Sequence, residues 1–110
     1  MKIMISQPMT GKTNEEILTE REELVKKLES QGHEVLDTVF DFNDKEVNHL
    51  GVYYMGYSLV AMADADLVVF MDGWQDSRGC RLEYEIAKQY KVPMALANEM
   101  VNNTGGLRNE

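Results

Sequence analysis

The segment ADLVVFMDGWQDSRGCRLEYEIAKQY (Ala65–Tyr90) contains the signal that decides the fold. It opens on ADLVVFM, a run so rich in apolar residues that it predicts a strand covered on both faces, as strands of parallel sheets are. A polar turn follows, and we expect a helix from Gly79 to Tyr90. A strand that passes through a turn into a helix is the repeating unit of parallel α/β domains.

The same alternation of strands and helices extends over the rest of the chain. The remaining strands are expected at KIMIS (2–6), HEVLDTVF (33–40) and VPMALA (92–97). Apolar residues recur at helical spacing over residues 14–31, and a second helix is expected after a cap region at residues 41–44. Pro93 indicates that the last strand lies at an edge of the sheet. Such alternation predicts right-handed crossovers, and therefore a small doubly wound α/β domain, flavodoxin-like or Rossmann-like, with a four-stranded parallel sheet.

Length and composition predict a single domain. A chain of 110 residues, 44% of them apolar, is large enough for one core and too short for a second. We expect the domain to occupy residues 1–97. Residues 98–110 (NEMVNNTGGLRNE) have little apolar content, which predicts a tail that is extended or packed against a partner subunit.

Charge and residue usage exclude several classes of partner. Nineteen acidic and eleven basic residues give a net charge of −8, which disfavours nucleic acid and anionic lipid as partners. The longest apolar run, Leu67–Met71, is too short to span a bilayer, so no membrane association is expected. The single Cys80 has no partner for an internal disulfide, and the start of the chain has no secretory pattern, so we expect a cytoplasmic protein. Since His and Cys residues do not cluster, neither a metal site nor a cofactor is expected.

The topology predicts where a ligand binds. In doubly wound sheets, ligands lie outside the carboxyl ends of the strands, near the point where the strand order reverses. The segments that follow strands one and three, SQPMTGKT (6–13) and DGWQDSRGCRLE (72–83), should therefore line the same cleft. The first of these resembles a phosphate loop only at its Gly-Lys-Thr end. Because Ser6 stands where that motif requires glycine and Pro8 stiffens the loop, a nucleoside triphosphatase is disfavoured.

Glu83 is the acid of most interest in the second segment. A carboxylate in the first turns of a helix is often a surface residue that complements the helix dipole. Helical spacing, however, gives Glu83 the same face as Cys80, Ala87 and Tyr90, which should pack inward, whereas Glu85 should lie on the solvated face. The pattern favours a Glu83 carboxylate at the wall of the cleft.

Three segments together resemble one protein family: MKIMISQPMTG, ADADLVVFMDGW and DSRGCRLEYEIAKQY. They are similar, in order and over nearly the whole chain, to the nucleoside 2-deoxyribosyltransferase-like superfamily, and most of all to its small branch that is common in bacteriophage genomes. The resemblance implies that Glu83 is a catalytic nucleophile and that Asp66 is the second acid. The substrate-binding positions that it implies are Ser6, Gln7, Pro8, Met9 and Gly11 in the first loop, with Ser77 and Gly79 at the start of the third helix.

The implied chemistry suits these residue types. Cleavage of an N-glycosidic bond develops positive charge at the anomeric carbon, which a carboxylate can capture as a covalent glycosyl-enzyme. A second acid then protonates the leaving base, and water or another base completes the reaction. The expected activity is thus cleavage or base exchange on a nucleoside or nucleoside 5′-monophosphate. Asp72 and Asp76 are alternatives to Asp66 for the second acid.

Other interpretations stay open at the level of sequence. A protein that keeps the fold and binds a nucleotide without chemistry, or that has a structural role, is the alternative function. The chain ends soon after its fourth strand, and its first loop has no arginine, whereas relatives carry a longer C-terminal region and a phosphate-binding arginine. Trp74 is suited either to stacking on a base or to anchoring its own loop. Apolar helix residues such as Tyr54, Met55 and Met62 predict a homo-oligomer.

Overall fold

The structure, a computed structural model, describes residues 1–102 and the side chains of residues 1–100. The elements in chain order are β1 (Lys2–Ser6), α1 (Asn14–Ser30), β2 (Glu34–Val35), α2 (Leu50–Asp64), β3 (Leu67–Phe70), a 3₁₀ turn (Trp74–Asp76), α3 (Arg78–Gln89), β4 (Met94–Leu96) and α4 (Ala97–Asn102). Within the described range, no helix has the length and apolar character needed to cross a membrane.

The four strands form one parallel sheet in the order β2-β1-β3-β4. The predicted fold class is therefore confirmed. The chain leaves β1 toward β2 on one side and returns to β3 on the other, so the strand order reverses between β1 and β3. β4 lies at an edge, as Pro93 predicts, and the Pro93 carbonyl still accepts a hydrogen bond from Val68 N at 2.9 Å.

Two apolar layers cover the sheet, because successive strand residues point to opposite faces. On the face covered by α1 and α4 the buried core residues are Ile3, Ile5, Leu24, Leu28, Leu67, Val69 and Met100. On the face covered by α2 and α3 they are Met4, Met62, Val68, Phe70 and Ala87. The continuous apolar run of β3 is thus explained by burial on both sides, as its sequence indicates.

The segment between α1 and α2 differs from the sequence expectation. The second strand has only two residues, because it pairs with β1 alone and turns away after Leu36 N donates to Ile3 O at 2.9 Å. The Asp37 carboxylate then accepts from Val39 N at 3.1 Å, which forms a local turn. The expected cap region at residues 41–44 is likewise a turn, with Asp41 Oδ1 accepting from Asn43 N at 3.3 Å. The helix begins only at Leu50.

Helix α4 occupies the start of the segment that the sequence analysis assigns to the tail. Its Met100 side chain is fully buried in the core on the α1 face of the sheet. The remainder of the predicted tail, residues 103–110, lies outside the described residues.

Candidate functional site

The loops after β1 and β3 meet at the carboxyl end of the sheet. Met71 N donates to Ser6 O at 2.9 Å, which carries the pairing of the two strands one residue past β3. Gly73 adopts a left-handed φ of +87°, and a β-carbon built on it would lie 3.7 Å from Pro8 Cγ. A residue with a side chain would be strained there. The two segments that the sequence predicts to share a cleft are thus adjacent in space.

Glu83 projects from α3 beneath this junction. Ser77 begins the helix by accepting a hydrogen bond from Cys80 N at 3.3 Å, and the buried face of α3 then carries Cys80, Glu83 and Ala87. The Glu83 side chain is 7% exposed, and its Oε1 accepts a 2.5 Å hydrogen bond from Ser6 Oγ at the end of β1. Strand β1 and helix α3 together fix the position of this carboxylate.

The surroundings of Glu83 oppose its ionisation. Burial raises the pKa of Glu83 above its ordinary value of 4.5, while hydrogen bonding from the Ser6 and Ser58 hydroxyls partly offsets that effect. In the part of the chain that the structure describes, no Lys, Arg or His lies within ion-pair distance of this carboxylate. A buried acid with neutral hydrogen-bond donors and no counter-ion is costly for stability, and such groups concentrate at functional sites.

Cys80 lies one helical turn before Glu83 and is also buried. Burial is the main cause that raises the pKa of its thiol, the nearby Glu83 charge raises it further, and the Ser6 and Ser77 hydroxyls act in the opposite direction. A thiol that is protonated at neutral pH is a poor nucleophile. Cys80 therefore packs beside the carboxylate, and Glu83 is the better nucleophile of the two.

Ser6→Ala should raise the pKa of Glu83 further. The substitution removes a donor that favours the charged carboxylate, while the burial that opposes the charge stays in place. The measurement is a titration of the Glu83 side-chain carboxyl by carbon NMR, with the resonance assigned by its absence in Glu83→Gln. Ser30→Ala, which removes a hydroxyl bonded only to Lys27 O at 2.7 Å on an exposed surface, is the control. An unchanged or lower Glu83 pKa in Ser6→Ala would show that the Ser6 hydrogen bond does not govern this group.

A cavity of about 400 Å³ opens at the same end of the sheet but on the α1 face. Its lining residues are Gln7, Pro8, Lys12, Glu20, Glu23, Leu24, Met71, Asp72, Ala97 and Asn98. Three of these are acidic, and the one lysine forms an ion pair with Glu20 at 2.9 Å. Glu83 is not among the lining residues. It bonds Ser6, which alternates with Ile5 along β1 and therefore points to the α2 and α3 face of the sheet, opposite the cavity.

Gln7 is held within the protein by three side-chain contacts. Its amide donates to Ile17 O at 2.9 Å and to Glu20 Oε1 at 3.2 Å, and its Oε1 accepts from Arg21 Nε at 2.8 Å. Because these contacts occupy the amide, Gln7 positions the first loop against α1, and only its place in the cavity wall connects it with a substrate-binding role.

Arg21 is a buried residue that the sequence analysis does not single out. It is 4% exposed, and its guanidinium also donates to Thr38 Oγ1 at 3.3 Å. Burial lowers its pKa from 12.5 to about 10, with the Asp37 charge acting in the opposite direction. The available signal is its spacing, since Arg21 occupies the same helical stripe as Ile17 and Leu28.

The other positions that the sequence predicts to bind substrate lie around the junction of the two loops. The Trp74 ring packs on the rings of Tyr84 and Phe70, with centroids 4.7 Å and 5.3 Å away. This arrangement anchors the loop. A β-carbon built on Gly79 would lie 3.6 Å from Met55 Cε of α2, which is an ordinary contact distance. Gly11 has a left-handed φ of +79°, and Met9 O accepts from Lys12 N at 3.1 Å, so both shape the turn after β1.

The structure does not bring Asp66 together with Glu83. Asp66 precedes β3, and its carboxylate accepts a hydrogen bond from Lys2 N at 2.7 Å at the start of β1. Glu83 bonds Ser6 at the end of β1, so the length of the strand separates the two acids. Of the alternatives, Asp72 lines the cavity on the α1 face and Asp76 lies exposed in the 3₁₀ turn.

The chain matches a protein-family model. The model of a family described as a domain of unknown function, DUF4406, matches residues 1–96 and thus includes all four strands and Glu83. No curated protein matches the chain.

Proposed function

The chain belongs to the DUF4406 family, and from the chemistry of its own site we propose that it cleaves or exchanges the N-glycosidic bond of a nucleoside or a nucleoside 5′-monophosphate. Glu83 is the nucleophile. The segment SRGCRLEYEIA resembles the nucleoside 2-deoxyribosyltransferases, and the surroundings of its Glu83 suit that chemistry.

One observation carries the proposal. Glu83 is a buried carboxylate at the carboxyl end of the sheet, and it accepts a hydrogen bond from Ser6. Among the residues that the structure describes, it has no counter-ion. An acid with a structural role in such a place would normally be paired with a base. A carboxylate that is held by hydroxyls alone has no competing counter-ion, so its ionised form can pair with a substrate atom that becomes positive, as the anomeric carbon does.

The reaction has two steps. A Glu83 carboxylate oxygen attacks the anomeric carbon, the bond from that carbon to the base nitrogen breaks, and its electron pair leaves with the base. Since Asp66 is a strand length away, the base takes its proton from water in this scheme. In the second step, water or a second base attacks the same carbon. That attack frees the Glu83 carboxylate and yields the sugar or a new nucleoside, and the attacking water or base releases a proton to solvent that balances the proton taken up by the leaving base.

The test is release of free base from purified protein, detected by chromatography. A panel of ribo- and deoxynucleosides and their 5′-monophosphates is incubated with the full chain, with and without a second base as acceptor. Release without acceptor is expected for hydrolysis, and a new nucleoside in the acceptor lanes is expected for transfer. If a folded protein gave neither free base nor a new nucleoside with any member of the panel, the proposal would be overturned.

The alternative, nucleotide binding without chemistry, is favoured by a different observation. The cavity of about 400 Å³ is large enough for a small ligand and its wall does not include Glu83. A binding protein would be stabilised against heat by a nucleoside or nucleotide that it leaves intact. Thermal denaturation with the same panel separates this function from the proposed catalytic one.

A further inference from the structure

Helix α2 has an outer face without charge. From Leu50 to Ala63 the helix contains no Asp, Glu, Lys or Arg, and the first charged residue is Asp64 in its last position. Val52 is 71% exposed and Val60 is 69% exposed. By contrast, α1 carries many charged residues on its exposed side. A helix that is apolar on all sides is normally covered, and α2 buries only Met62 completely within its own chain.

Three of the exposed residues of this helix form a symmetric pattern. Val52, Gly56 and Val60 follow one another at intervals of four residues, so they form one stripe, which we call the α2 outer face. Gly56 is at its midpoint, and a β-carbon there would have open space around it. A twofold axis through Gly56 would bring two antiparallel copies of α2 into close approach, with Val52 of each chain on Val60 of the partner subunit.

We infer that the α2 outer face binds a second copy of this chain and that the protein is a twofold symmetric dimer. The net charge of −8 makes two copies repel each other wherever their charged surfaces meet. The uncharged α2 outer face is a place where they approach without that repulsion. An isologous contact also needs a surface that is complementary to itself, and a stripe of two valines around a glycine meets that requirement without any charge pairing.

The dimer would also stabilise one wall of the Glu83 site. The opposite side of α2 faces α3. Met55 of α2 lies near Gly79 there, and hydrogen bonding from the Ser58 hydroxyl favours the charged form of Glu83. A partner on the outer face would hold α2 against α3. The inference itself does not depend on the proposed activity, because it rests on the charge and exposure of α2 alone.

The first test is the mass in solution by sedimentation equilibrium over the micromolar range. Wild type is expected at twice the chain mass of 12.6 kDa, and Val60→Glu at the mass of a single chain. Leu18→Glu, which adds the same charge at an exposed position of α1, is the control and should stay dimeric. A monomeric wild type would overturn the inference and leave the α2 outer face to a partner of another kind. A dimeric Val60→Glu would place the interface elsewhere.

The second test examines the antiparallel geometry. Val52→Lys alone should also give monomers, since it buries an unpaired charge in the interface. In the double variant Val52→Lys/Val60→Glu, each lysine would meet a glutamate of the partner subunit, and the dimer mass should return. Both positions are exposed in the single chain, so circular dichroism should show folded protein in every variant. A double variant that remains monomeric would contradict the twofold axis at Gly56.

Discussion

Glu83→Gln is expected to lower base release by roughly 10³-fold or more, as loss of a nucleophile does in other enzymes, and to leave the protein at least as stable as wild type. The amide has almost the same shape as the carboxylate, and its oxygen still accepts the Ser6 hydrogen bond. What it lacks is the negative charge that the anomeric carbon requires. The substitution therefore removes the chemistry and keeps the packing.

The stability part of this prediction follows from the raised pKa of Glu83. A group whose folded pKa lies above its unfolded value contributes stability that is fully present below the unfolded value, near 4.5, and is lost as pH rises through the folded value. As pH rises, ionisation of Glu83 places a desolvated charge in the wild-type protein, which Gln never carries. The free energy of unfolding of wild type should therefore decline relative to that of Glu83→Gln as pH rises above 4.5.

Urea denaturation of both proteins at a series of pH values measures the difference. Glu85→Gln is the matched control, because Glu85 is exposed on the same helix, and it should retain activity and show no such pH trend. A Glu83→Gln protein that is active, or one that is much less stable than wild type at neutral pH, would mean that Glu83 has a structural role.

Phe70→Ala should lower the free energy of unfolding by about 3–5 kcal/mol, the usual cost of removing a buried aromatic ring. Phe70 is the last residue of β3 and is almost fully buried on the α3 face of the sheet. Its ring contacts Trp74 at 5.3 Å and Tyr84 at 5.7 Å between centroids. The loss would leave a cavity beneath the 3₁₀ turn and the helix that carries Glu83.

Thermal and urea denaturation measure this effect, and a fall in the melting temperature of roughly 12–20 °C is expected for a domain of this size. Tyr90→Ala removes an aromatic ring that is 79% exposed, and it should change the free energy of unfolding by less than about 0.5 kcal/mol. Equal effects of the two substitutions would contradict the assignment of Phe70 to the core.

The fold was predictable because its signals are local and repeated. The apolar run of β3, the helical spacing in α1 and the breakers between elements each identify an element without knowledge of the rest. The segment after β2 was not predictable in the same way. Asp41 and Asn43 suit a helix cap and a turn equally well. Only the structure, in which β2 ends at Val35 and α2 begins at Leu50, shows that they form a turn.

The site was predictable in part. Helical spacing correctly predicts that Glu83 faces inward with Cys80 and Ala87, but the same argument fails for Tyr90, which is exposed where α3 ends. The bond from Ser6 to Glu83 joins residues 77 positions apart, which no local pattern reveals. The separation of Asp66 from Glu83 follows from topology, because Asp66 precedes β3 and lies at the amino end of the parallel sheet, whereas the cleft is expected at the carboxyl end.

The central claim is that Glu83 forms a covalent bond to the sugar, and peptide mass spectrometry after acid quenching tests it most directly. The wild-type protein is mixed with whichever member of the nucleoside panel releases base, quenched during turnover and digested. We expect one glycosyl group on the peptide that contains Glu83, and no such group in Glu83→Gln. Base release with no adduct on that peptide, or with the adduct on another residue, would contradict it.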